Sequence, residues 1–94
     1  MTVQDLVGEL SARLERLQAA AGQVHARDVA SLRYQVETQP VAWLAAGTSR
    51  ALALADQLCW DSLSRGDTAS FNRQAAIGAD LRLFGVCARL LDEG

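Results

Sequence analysis

The chain has 94 residues, of which 50% are hydrophobic and 21% charged, and its formal net charge is -2. One proline and seven glycines argue against disorder and against a sandwich of short strands. The pI of about 5.2 gives no sign of the basic footprint of a nucleic-acid binder. Every cation is arginine, which fits a GC-rich bacterial genome and removes lysine-based Schiff-base and general-base chemistry.

In chain order, Val3, Val7, Leu10, Leu14, Leu17, Ala21 and Val24 alternate steps of four and three, the seam of an amphipathic helix. Thr2 is placed to cap its start, with Asp5 as the capping-box partner, and Leu6 widens the stripe. Glu9 and Arg13 have the spacing of an exposed helical ion pair. The stripe breaks between Gly22 and Arg27, and Gly22 suits a helix end. A short second helix over about Asp28–Glu37 then buries Val29, Leu32 and Val36. The alternative is a single helix from Val3 to Thr38, kinked at Gly22.

Thr38-Gln39-Pro40 ends this segment, because proline disfavours helical geometry in the residue before it and suits a first helical turn. A third helix is predicted from about Val41 to Ser64. Its apolar face includes Leu44, Thr48, Ala51, Ala55 and Leu58, and its polar face carries Arg50, Asp56, Gln57 and Trp60. Arg65-Gly66-Asp67 closes a hairpin, with Gly66 in a left-handed turn and Asp67 or Thr68 capping the next helix. We read the triplet as a helix stop and cap rather than an adhesion motif, because no secretion signal accompanies it.

The fourth predicted helix, about Ala69 to Asp92, carries two apolar stripes. One contains Ile77, Leu81, Phe84, Ala88 and Leu91; the other contains Ala76, Leu83, Val86, Cys87 and Leu90. Gly78, Arg82, Gly85, Arg89 and Asp92 form the narrow polar remainder. A helix this apolar is normally surrounded by others, so a central position is expected. If the bundle leaves its second stripe uncovered, a dimer interface would cover it. Gly78 and Gly85 lie on one side and hint at close backbone approach. The expected fold is all-α: a small antiparallel up-down four-helix bundle with a short second helix, built on the C-terminal hairpin, in a single domain over 1–94.

No phosphate-binding loop, nucleophile elbow or paired metal-ligand motif is present, so no catalytic, cofactor-binding or metal site is expected. His25, the only histidine, falls at the predicted helix break. Hairpin geometry separates Cys59 from Cys87 by roughly 20 Å, too far for a disulfide, and both are read as buried thiols. Met1–Asp5 contains no basic lead into an apolar core, and no stretch is long and apolar enough to span a bilayer. A cytoplasmic location is expected, without membrane or nucleic-acid partners. Trp43 is expected in the core and Trp60 at a contact. The leading expectation is a non-catalytic interaction module, as a homodimer or a small adaptor or chaperone-like subunit. Its candidate partner-contact residues are Trp60, Asp56, Gly78, Arg82, Gly85 and Arg89. The alternative is a ligand-binding or enzymatic bundle, with at least two of Arg16, Arg33, Arg50 and Arg82 lining one pocket.

Overall fold

The computed structural model describes residues 2–93, with the side chains of all of these except 23, 24 and 90–93. Four helices follow one another: α1 (Val3–Ala20), α2 (Gly22–Thr38), α3 (Pro40–Ser64) and α4 (Thr68–Glu93). They pack as the expected antiparallel bundle. The side chains of Val24, Leu90, Leu91 and Asp92, assigned above to helix faces, lie outside those described.

The helix ends follow the local signals. The Thr2 amide donates to Asp5 Oδ2 at 3.0 Å and the Asp5 amide donates to Thr2 Oγ1 at 3.2 Å, a complete capping box. Gly22 sits at φ +67° and separates α1 from α2, so the chain breaks there rather than kinking. Pro40 occupies the first turn of α3, where its missing N–H costs nothing. At the hairpin, Gly66 has φ +70°. Its amide donates to the Leu63 carbonyl and that of Asp67 to the Ser62 carbonyl, the Schellman closure of a helix. Asp67 Oδ1 accepts from the Ser70 amide at 3.1 Å and so caps α4.

The second helix is longer than its apolar pattern suggests. It has 17 residues and starts at Gly22 rather than near Asp28. A single left-handed residue reverses the chain, and helix resumes at once. His25, on the added turn, is only 17% exposed and lies 3.5 Å from the Asp61 carboxylate of α3.

α1 supplies the bulk of the core: Leu10, Leu14 and Leu17 are fully buried, each stabilising the fold by roughly 1.5–3 kcal/mol. α2 adds Val29, Leu32 and Val36. α1 and α3 each touch the other three helices, whereas α2 and α4 do not touch among the described residues. The cross-section is therefore a flattened diamond, within overall extents of 42 × 23 × 16 Å. The expected central place for α4 is thus corrected. It occupies an acute corner, because the short side chains of α3 let α1 and α3 meet across the middle.

Those short side chains make the crossings tight. Gly47 of α3 faces α2, and a Cβ there would lie 2.7 Å from Val36 Cγ2. Val36 is fully buried and β-branched, so it has little freedom to turn aside. Gly47→Ala is expected to destabilise by ~1–3 kcal/mol. Gly8→Ala, on an exposed stretch of α1 with nothing within 4 Å, is expected to stabilise by ~0.5–1 kcal/mol. Urea denaturation of both variants, and of Gly47→Ala combined with Val36→Ala, reads this directly. The double variant should be more stable than the sum of its parts; strict additivity would show that the clash is absent.

Candidate functional site

α3 and α4 form the hairpin that carries the candidate residues, and the structure divides them into two groups. Gly78 is buried, its Cβ position 3.6 Å from Ala55 Cβ, and Gly85 faces Thr48 Cγ2 at 3.3 Å. The expected close approach is present, but it is made to α3 of the same chain. Within the chain, Gly78 and Gly85 thus sit in the seam of the hairpin. The glycine side of α4, read as polar remainder, is in fact the side against α3, since the smallest residues permit the nearest approach.

The other four candidates lie at the surface. Trp60 is 69% exposed. Asp56 Oδ1 accepts from Arg82 Nη2 at 3.3 Å, across the outer edge of the α3–α4 seam. Both side chains are more than half exposed, so the pair contributes little to stability. Arg89 is exposed one helical stretch further along α4. The second apolar stripe of α4 is uncovered: Leu83 is 67% and Val86 56% exposed, and Leu63 at the end of α3 is 54% exposed. Cys87 is exposed as well, against the expectation of a buried thiol, whereas Cys59 is half-buried. Burial, reinforced by Asp56, pushes the Cys59 thiol above its usual value, which keeps it protonated and unreactive near neutrality.

The arginines do not converge. Arg33 lines an open groove of about 490 Å³ between α1 and α2, with Glu15 and Gln18. Arg50 lines a separate groove of about 390 Å³ between α2 and α3, with Asp28 and Gln35, and its guanidinium stacks on half-buried Trp43. Arg16 and Arg82 are 60% and 65% exposed. Neither of these two grooves is lined by more than one of the four. Among the described residues, no three or more His, Cys, Asp or Glu side chains gather where they could hold a metal ion, and no helix is long and apolar enough to cross a membrane.

Three polar clusters went unanticipated. Arg13 looked like solvated surface, yet its side chain is only 17% exposed. It pairs with Glu9 at 2.8 Å, reaches Asp80 of α4 at 3.0 Å and lies over the Phe84 ring. Gln74 is buried: its Nε2 donates to the Ala20 carbonyl at the end of α1, and its Oε1 accepts from Ser62 Oγ. Gln74 joins three helices and satisfies a terminal carbonyl that the helix itself leaves free. A signal for it existed, since Gln74 continues the stripe of Ile77, Leu81 and Phe84 one turn earlier.

Between α1 and α2, Ser11 Oγ donates to Glu37 Oε1, and Arg33 Nε donates to both. The Ser11 hydroxyl, followed by Arg33, holds the Glu37 carboxyl below its usual value of 4.5. The cap hydrogen bonds lower Asp5 and Asp67 in the same way.

Comparison with protein-family models, with curated proteins and with solved structures finds no match to this chain.

A carboxyl depressed in the folded state stabilises the fold above its unfolded pKa, and that contribution is lost as pH falls through the folded value. Urea midpoints are therefore expected to hold steady above about pH 5 and to decline below about pH 4.5. Glu37→Gln should make the decline shallower. An unchanged acid slope in that variant would remove Glu37 from the account.

Proposed function

We propose that this chain is a non-catalytic helical interaction module that docks through the outer face of its α3–α4 hairpin, working as a homodimer or as a small adaptor or chaperone-like subunit. The observation that carries this reading is the uncovered apolar stripe of α4, with Leu83 and Val86 more than half exposed. Scattered surface leucines are ordinary. A stripe of apolar residues along one helix, bordered by the Asp56–Arg82 ion pair, has the make-up of a contact surface. The surface area agrees: the chain exposes 5896 Å², against the ~5300 Å² that scaling by mass gives for a monomer of this size. A reducing, cytoplasmic setting suits the two free thiols.

The test is contact in the native cell. A photo-crosslinking amino acid placed at Leu83 or Trp60 should yield a discrete protein adduct, and one at exposed Ala12 on α1 should not. Adducts no stronger at 83 and 60 than at 12 would reject the reading.

A further inference from the structure

We propose that the groove between α2 and α3 binds a short zwitterionic peptide of about three residues, its carboxylate taken by Arg50 and its ammonium by Asp28. The groove lies apart from the apolar stripe of α4, so the proposal does not depend on the docking face described above.

The state of its arginine marks the groove. Arg13, Arg16, Arg33 and Arg82 each reach an acid on a neighbouring helix. Arg50 has Asp28 of the facing helix in the same groove, yet pairs with no carboxylate among the described residues. Its guanidinium lies over the Trp43 ring instead, 4.9 Å from the centroid. Stacking occupies the face of a guanidinium and leaves the N–H donors in its plane free to meet a carboxylate. It also holds a long side chain in place, so a ligand has less ordering left to impose.

Helix register accounts for the missing ion pair. The Cβ position of Gly47 meets Val36, and His25 meets Asp61. Antiparallel α2 and α3 therefore set Asp28 about five to eight residues beyond the level of Arg50, roughly 8–12 Å along the axis. Side chains lean toward the start of their own helix. Arg50 thus leans toward Trp43 and Asp28 toward the start of α2, so the two charges diverge. The groove has a positive end, a negative end and a gap between them.

The gap suits a stretch of peptide. Its floor is apolar, with Leu32 buried and Leu54 half-buried, and Gln35 and Gln57 stand along it. An apolar middle side chain fits the leucines, and peptide amides fit the glutamines. Extended chain covers ~3.3–3.6 Å per residue, so about three residues span the two charges. The volume of about 390 Å³ lies at the lower end of the ~300–1,000 Å³ of small-molecule sites. Asp28 opposes a dicarboxylate or a phosphate ester, so the charges select an acid at one end and an amine at the other.

Titration of the nitrogen-15-labelled full chain with alanyl-leucyl-alanine, both ends free, tests this by amide chemical shifts. Saturable shifts should concentrate at residues 28–35 and 50–57, with a dissociation constant on the order of 0.1 mM. Amidating the peptide's C-terminus should weaken binding ~10-fold or more, and Arg50→Gln should weaken binding of the free peptide by a similar factor. Arg50→Gln should weaken the amidated peptide no further, because the two changes remove one contact. A merely structural role of Arg50 would give additive losses instead. Asp28→Asn and N-acetylation should couple in the same way at the other end. Arg73→Gln, at an exposed site on α4, should leave the affinity unchanged, with circular dichroism confirming that every variant folds. Additive losses, binding indifferent to both end caps, or no saturable shift up to ~10 mM, a hundredfold above the expected constant, would each overturn the proposal.

Discussion

The bundle depends on the smallness of the inner face of α3. Gly47, Thr48, Ala51 and Ala55 are all buried there, and none reaches far from its own backbone. Three helices can therefore close on α3 at short range, while α1 fills the remaining space with Leu10, Leu14 and Leu17. The consequence is a flat molecule, 16 Å thick, in which α1 and α3 meet across the short diagonal. Bulkier residues on α3 would push the four helices toward a square section with a fuller centre. The flattening has a second effect: it moves α4 to a corner, where only part of its apolar circumference can be covered.

Apolar burial alone does not choose between ways of sliding these helices past one another, since alanine and leucine stripes fit in several registers. Directional contacts make the choice. Gln74 must reach both the Ala20 carbonyl and Ser62, which sets the level of α4 against α1 and α3 together. Arg13 sets α1 against α4 through Asp80 and Phe84. The Ser11–Arg33–Glu37 group does the same for α1 and α2. A buried polar group left without its partner costs more than the bond gains, so the buried Gln74–Ser62 tie rejects wrong registers more strongly than it stabilises the right one.

What remains outside is the second apolar stripe of α4, on the C-terminal hairpin. Its seam is closed underneath by Gly78 and Gly85 and on top by Asp56 and Arg82. The glycines draw α4 against α3 and so set the two helices side by side. The elements that build the core and the elements that leave the outer layer bare are the same residues seen from opposite sides.

Much of this was legible from the residues. The α1 seam, the capping box at Thr2, the break at Gly22, the Pro40 start and the Gly66 stop are all short-range features, and each depends on backbone geometry within a few positions. The exposure of Trp60 also followed from periodicity, because its neighbours on α3 are charged. Which side of α4 turns inward did not. That helix is apolar over most of its surface, so periodicity names no unique inner face, and the glycines that looked like a polar remainder proved to be the contact. The same ambiguity hid Arg13 and Gln74, whose long side chains reach partners far away in the chain. By itself the sequence determined the helices and their ends, because those are local free energies. Only the tertiary structure decided which apolar stripe is buried and which is left to solvent, because that choice is made by how closely four backbones can approach.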